Sequence, residues 1–373
     1  MTSADGLLFP YMEWAQTESF RSPYCLSQSG MPLPPAEILG DLGSGDILAH
    51  AGMDALPRLE RRVAELYDVD PAAVIVTPGA TGAMHLVSQA WFRPGSRVAV
   101  EVPGYQGLRA LPGHLGAEVA PLERRMDSGW DVQPDQVAQL LNGAQPGHVF
   151  LTNPHNPSGA VLPDGRLAAC AAAAARVGGI LAACEVYMEY APNEARRHIA
   201  KEAPNGITIS SLSKAHGLGP LRVGWLILGE GLLDQRQRLV HLARLTWIDP
   251  PTASLALGLR ALDRLPQILQ PARRAEQEAR PHLVRWLSGT VGVQGDAGPF
   301  GILSFPRLSG VRDTRAFASY LAEQHLVDVA PGDFFGLPGH VRVACGVPEA
   351  TLTEGLARLS NGLRAWQERG EEP

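Results

Sequence analysis

Lys214 lies in the run Ser211-Leu-Ser-Lys214-Ala-His-Gly-Leu-Gly-Pro-Leu-Arg222-Val-Gly-Trp, directly after an apolar stretch. A lysine after a strand is most often an exposed surface charge. This one sits in a chain with few lysines and many arginines, and it begins a glycine-rich loop that leads into Arg222. In a closed apolar site a lysine loses proton affinity and becomes a nucleophile able to form a Schiff base. A second segment, Thr77-Pro-Gly79-Ala80-Thr81-Gly82-Ala83, reads as a strand-to-helix turn. Small residues there let backbone N–H groups approach an anion at a helix N-terminus, and the Thr81 hydroxyl adds a donor. A third, Asn153-Pro-His155-Asn156-Pro157-Ser-Gly159, packs two Asn-Pro pairs into seven residues and makes a rigid loop.

These loops need strands to place them. Val74–Thr77, Arg97–Val102, His148–Thr152, Ile180–Cys184, Ile207–Ser210 and Val223–Leu228 are short apolar runs. Between them fall helical stretches, Ala83–Phe92 and the alanine-rich Asp164–Val177 among them. Apolar strands alternating with helices predict an α/β fold, a three-layer, mainly parallel sheet covered by helices. Ligands in such sheets gather at the carboxyl ends of the strands, where the three loops leave. After Pro250-Pro251 the pattern changes to a smaller α+β unit. It has helical spacing over 252–290, strands at Ile302–Phe305, Val327–Val329 and Val341–Ala344, and helices at Thr314–Gln324 and Thr351–Trp366. The expected division is an N-terminal arm over 1–44 that wraps onto the small domain, a large domain over 45–260 and a small domain over 261–373.

The three segments, in this order and spacing, resemble the aspartate-aminotransferase superfamily, the fold-type I enzymes dependent on pyridoxal 5'-phosphate. A fourth match, Val329-Ala-Pro-Gly-Asp-Phe-Phe-Gly336 with Val341-Arg342-Val-Ala, extends it, and the resemblance runs from about residue 25 to about 362. It implies that Lys214 carries the cofactor as an aldimine and that Lys214 and Tyr187 are the catalytic residues. Ala80, Thr81, Ser211 and Arg222 match ligands of the cofactor phosphate; a planar guanidinium fork suits a phosphate dianion. Tyr105 matches an aromatic ring stacked on the pyridine. Asn156 and Tyr187 match the pair that hydrogen-bonds the ring oxygen. Gly30, Asn156 and Arg342 match the substrate contacts, Arg342 as the clamp on the α-carboxylate.

Two positions depart from the family pattern. Leu181-Ala-Ala-Cys184-Glu185-Val186-Tyr187 resembles the family's Asp-Glu-Val-Tyr strand end, but Cys184 stands where an aspartate pairs with the pyridine nitrogen. A thiol carries little charge unless its pKa is depressed, so the ring becomes a weaker electron sink. Neighbouring strand residues face opposite sides, so Glu185 is not expected to substitute. Chemistry needing less ring acidity, slow transamination, or loss of catalysis would each be consistent with Cys184. The second departure is Ile47, where the family carries a tyrosine that reaches the partner subunit's cofactor; His50 is the nearest replacement. His155 and His216 have no metal-ligand spacing, so no metal is expected; His216, two after the lysine, is either a cofactor neighbour or, as a histidine at a glycine-rich loop more often is, solvent-facing.

Composition bounds the rest. The chain has 373 residues, 45% of them apolar and 19% charged, a net charge of −6 and a mean hydropathy of −0.04. Wholesale disorder is excluded, and the acidic balance argues against nucleic acid or an anionic membrane as a partner. Cys25, Cys170, Cys184 and Cys345 are scattered, which fits reduced thiols in the cytoplasm. No apolar run reaches the length of a membrane span, and no signal peptide is evident at the start. The resulting expectation is a cytoplasmic homodimer that transaminates an amino acid, with a 2-oxo acid as a second substrate. The first alternative is a pyridoxal-phosphate enzyme of elimination, replacement or cyclisation, since Leu26-Ser-Gln-Ser-Gly30-Met loosely resembles cyclising members such as capreomycidine synthase. The second is a non-catalytic ligand-binding member of the fold. Arg109 and Arg244 are unplaced candidates for a side-chain carboxylate, and Phe9, Tyr11 and Trp14 either line the pocket or pack.

Overall fold

A computed structural model describes residues 9–19, 21–43, 52–144 and 146–369. Ile47 and His50 lie outside the described residues. Seven strands build the central sheet: β1 (Val74–Pro78), β2 (Arg97–Val102), β3 (Glu118–Glu123), β4 (Gly147–Thr152), β5 (Leu181–Cys184), β6 (Gly206–Ser211) and β7 (Val223–Leu228). Their order across the sheet is β1-β7-β6-β5-β4-β2-β3. Six strands run the same way, and β7 is antiparallel to both of its neighbours. Every residue of β4, β5, β6 and β7 is buried, because helices cover both faces.

Six of the seven strands are the apolar runs legible in the sequence. The seventh, β3, reads Glu-Val-Ala-Pro-Leu-Glu and is half exposed. It pairs only with β2, and an edge strand needs neither a continuous apolar run nor a donor at Pro121. The helices Gln106–His114 and Pro134–Leu140 escape sequence reading for a related reason, each being short and carrying a proline.

The carboxyl-terminal region departs from the expected elements in detail. The stretch 252–290 is several helices rather than one, with a π-helical turn at Ala275–Ala279. The strand expected at Val327–Val329 is two short pieces. Val327–Asp328 pairs in parallel with Tyr24–Cys25, and Ala330–Pro331 pairs with Val341–Ala344. Leu26 closes the join: its N–H donates to Asp328 O and its carbonyl accepts from Ala344 N. The N-terminal stretch is thereby stitched to the strand that carries Arg342. It also forms a helix, α1 (Pro10–Thr17), where no element is expected. No described helix is long and apolar enough to cross a membrane.

Candidate active site

The carboxyl ends of the parallel strands converge on one cleft. Pro78 closes β1, and α2 (Gly79–Trp91) starts immediately after it. The first N–H groups of that helix have no intrahelical partner and bear the positive end of its dipole. Gly79 has φ +73°, and a side chain there would lie 2.4 Å from Arg222 Nη2. The Arg222 fork therefore stands over the start of the helix. Arg222 itself holds a left-handed backbone at φ 52°, with Nη1 donating to Gly219 O at 3.1 Å and Nη2 to Pro78 O at 3.4 Å. Such a conformation costs an L-residue about 1–2 kcal/mol because of its Cβ, and here it aims the fork. Gly224 of β7 makes room beneath: a Cβ there would lie 2.4 Å from Gly79 C. Ala80 is half-buried, Thr81 is exposed at the helix start, and Ser211 Oγ accepts from Ser213 N.

Lys214 follows β6 on the loop that Ser211 begins. Its Nζ donates to Ser29 Oγ at 2.7 Å and lies 6.0 Å from the centre of the Tyr187 ring. Gly30 passes against the lysine, where a Cβ would be 3.1 Å from Ser213 O and 3.3 Å from Lys214 Cα. Tyr187 is buried, and its hydroxyl has no hydrogen-bond partner among the described residues. Tyr105 stands at the head of Gln106–His114. Burial raises its phenol pKa, and the charged forms of Tyr11, Cys184 and Tyr187 add to the rise. Cys184 ends β5, is 6% exposed, and its thiol is pushed up to about 12 by burial. It is a neutral thiol at pH 7.

Arg342 faces this cluster from the small sheet and is fully buried. Nη1 donates to Asn156 Oδ1 at 3.0 Å, and Nη2 donates to Ser27 O at 2.8 Å and to the Tyr11 hydroxyl at 3.2 Å. Its Nε has no partner among the described residues. Asn156 is held from behind: its N–H donates to Thr152 Oγ1, which donates to the buried Glu101, itself paired with Arg124 at 2.8 Å. Sequence reading missed this Glu101–Arg124–Thr152 brace, since nothing local marks the three as neighbours.

The residues named from sequence at both ends of the cleft do come together. Others do not join them. Glu185 points away from the cleft, accepting from Ile199 N at 3.0 Å and pairing with His198 at 2.7 Å. His155 is buried, with Nδ1 on Ser158 Oγ and Nε2 on Pro103 O. His216 is 1% exposed rather than solvent-facing, because the glycine loop folds inward over it; burial lowers its pKa. Arg244 is exposed on the helix Arg236–Thr246, and Arg109 stands against Gly336. Tyr11 packs on the aromatic cluster and accepts from Arg342 Nη2, and Ser29 is brought to the cleft by its contact with Lys214.

A phosphorylated pyridine aldehyde fits these groups. The open helix start under a guanidinium fork suits a phosphate, the unpartnered Tyr187 hydroxyl suits a ring oxygen, and Arg342 Nε suits a carboxylate oxygen. The family model described as aminotransferase class I and II matches residues 41–359. An arginine–pyruvate transaminase of Pseudomonas aeruginosa is 30% identical over 318 residues, 81% of this chain and 79% of that protein. Capreomycidine synthase of Streptomyces vinaceus is 26% identical over 370 residues, 95% of this chain and 93% of that protein. The crystal structure of a pyridoxal-phosphate-dependent aminotransferase from Streptococcus suis superposes with a TM-score of 0.84 at 25% identity, covering 96% of this chain and 98% of that one.

Proposed function

Because this chain belongs to the class I and II aminotransferases, enzymes that use pyridoxal 5'-phosphate, we propose that it carries the cofactor on Lys214 and transaminates an amino acid. One observation carries the choice of lysine. The chain has two lysines, and Lys201 is a surface residue paired with Asp68 at 2.9 Å, whereas Lys214 stands in the cleft.

In this reading Arg222, Ser211, Thr81 and the N–H groups of Ala80 and its neighbours hold the phosphate. Tyr105 covers the ring, Tyr187 and Asn156 hold the ring oxygen, and Cys184 faces the ring nitrogen. When bound, the cofactor withdraws electrons from the substrate's α-carbon and acidifies its proton. Arg342 binds the α-carboxylate through Nε, and Asn156 and Gly30 shape the space beside it. Lys214 takes the α-proton at Nζ; the 2.7 Å bond that Nζ donates to Ser29 Oγ sets where that nitrogen points. The same carboxylate clamp accepts a 2-oxo acid as amino acceptor. A homodimer in the cytoplasm is part of the proposal, as is the division into domains near residues 44 and 260. Leu245 and Ile248, 84% and 72% exposed, supply apolar surface that a second copy would cover. Cys25, Cys170, Cys184 and Cys345 are all unpaired, as a reducing compartment requires.

Borohydride reduction of the cofactor-loaded protein is expected to fix the cofactor on the peptide containing Lys214; label on Lys201 overturns the reading. A panel of amino acids, with and without 2-oxoglutarate, then assigns the reaction type. Keto-acid dependence marks transamination. The second reading, elimination or cyclisation, is favoured by the neutral thiol at Cys184, and ammonia or a cyclic product without keto acid marks it.

A further inference from the structure

A guanidinium grips a carboxylate with two parallel N–H groups on one edge, one for each oxygen. Arg342 has already spent most of its donors on the protein. Nη2 carries two N–H groups and has two acceptors, Ser27 O at 2.8 Å and the Tyr11 hydroxyl at 3.2 Å. Nη1 donates to Asn156 Oδ1 at 3.0 Å. Nε is buried and has no partner among the described residues. A substrate carboxylate with one oxygen on Nε thus brings its other oxygen to Nη2, where the donors are taken. That oxygen meets the two groups already there. Ser27 O is a backbone carbonyl and can only accept. The Tyr11 hydroxyl accepts from Nη2 and keeps its own proton for a second partner.

Neither group is free to leave. Ser27 follows Leu26, whose N–H and carbonyl are both bonded to neighbouring strands, and its own hydroxyl meets Ser19 Oγ at 2.8 Å. Tyr11 is 6% exposed, and its N–H donates to Gln106 Oε1 at 3.1 Å. Its ring meets Tyr105 edge-on at 5.7 Å and packs against Phe335 at 5.7 Å and Phe334 at 6.0 Å, which fixes where the hydroxyl stands. We propose that Tyr11 is the second half of the carboxylate clamp: Arg342 Nε holds one oxygen of the substrate's α-carboxylate, and the Tyr11 hydroxyl donates to the other. The proposal rests on the reading of Arg342 as that clamp and deepens it. It makes α1 part of the substrate site and Tyr11 a specificity-determining residue. The selected class is α-amino acids and 2-oxo acids with a free carboxylate. An amine without one leaves both the Nε donor and the phenol proton unused.

L-Alanine and ethylamine differ only by the carboxylate, so together they separate a carboxylate donor from a tyrosine that merely packs. Each is titrated into the cofactor-loaded protein, and the shift of the visible cofactor band gives its affinity. Tyr11→Phe keeps the packed ring and removes the donor. Losing one hydrogen bond to a charged group is expected to weaken L-alanine binding at least about tenfold. Ethylamine binding should stay unchanged, which also shows that the variant's site is intact. Equal weakening of both probes would mean that Tyr11 only supports the fold, and unchanged or tighter binding of L-alanine would mean that the phenol does not donate to the carboxylate; either result overturns the proposal and leaves Arg342 as the clamp. Wild-type protein that binds L-alanine no more tightly than ethylamine overturns the clamp reading of Arg342 and Tyr11 with it. Failure of Lys214 to label with borohydride overturns the cofactor reading instead.

Discussion

Replacing Cys184 by aspartate tests what the strand end of β5 does to the cofactor. The thiol is buried and pushed up to about 12, so it offers the ring nitrogen no negative charge at neutral pH. An aspartate there would give a charge-assisted hydrogen bond to a protonated nitrogen. Such bonds contribute about 1.5–3 kcal/mol, and one pKa unit corresponds to about 1.4 kcal/mol. Cys184→Asp should therefore raise the ring-nitrogen pKa of the bound cofactor by roughly one to two units. Nitrogen-15 NMR of labelled pyridoxal phosphate, titrated on both proteins, reads the shift directly. Exchange of the substrate's α-proton with solvent should speed up about tenfold, since 1.4 kcal/mol is a factor of ten in rate. In the cofactor-free variant the new carboxylate is buried and unpaired, and its folded pKa lies above the unfolded value. Its cost to stability thus grows as pH rises above about 4 and is relieved when the cofactor binds. Cys184→Asn, isosteric with aspartate but uncharged, should leave the nitrogen pKa where the thiol does. An unchanged nitrogen shift in Cys184→Asp would refute the reasoning, because it would mean another group already controls the ring. Glu185 cannot be that group, being held by His198 and Ile199 on the far side of the strand.

Gly79→Ala should weaken pyridoxal-phosphate binding at least tenfold in an absorbance titration, since a methyl at φ +73° is strained and drives into the Arg222 fork; equal affinity would remove Arg222 and the helix start from the phosphate site. Arg124→Met should cost about 3–5 kcal/mol of unfolding free energy by leaving Glu101 buried and unpaired. The double variant with Glu101→Leu should recover part of that loss, and additive losses in urea unfolding would show that the two side chains are uncoupled. His148 is buried, accepts at Nδ1 from Ile180 N, and has its pKa lowered to about 4 by burial. The unfolded chain therefore takes up a proton below about pH 6.5 that the folded chain refuses until about pH 4, so stability falls with acidification by about 1.4 kcal/mol per pH unit in that window. His148→Gln should flatten the pH dependence of unfolding free energy by that amount, and an identical slope would show that His148 protonates in the folded state.

The chemistry at each strand end was legible locally because it is written in short segments. A buried parallel strand must be a continuous apolar run, and the residues after it must be turn formers, so Gly79, Asn156, Ser211 and Lys214 announce their own positions. Cys184 was legible for the same reason, as the last residue of such a run. Alternation along the strand also put Glu185 on the other side, where His198 holds it. The edge strand Glu118–Glu123 was not legible, since a half-exposed strand with a proline carries no continuous apolar signal.

The sequence by itself determined the set of strand ends, the loops that leave them and the residue types they present, because each follows from the hydrophobic pattern and turn chemistry of fewer than about fifteen neighbouring residues. Only the tertiary structure decided which groups meet across the cleft. Ser29 reaches Lys214 across 185 residues of chain, and Tyr11 reaches Arg342 across 331. Those meetings depend on the pairing of Tyr24–Cys25 with Val327–Asp328 and on the Leu26 bonds that stitch the N-terminal stretch to the Arg342 strand. No local pattern encodes them, because the free energy that selects one long-range pairing over another is a sum over contacts from the whole chain.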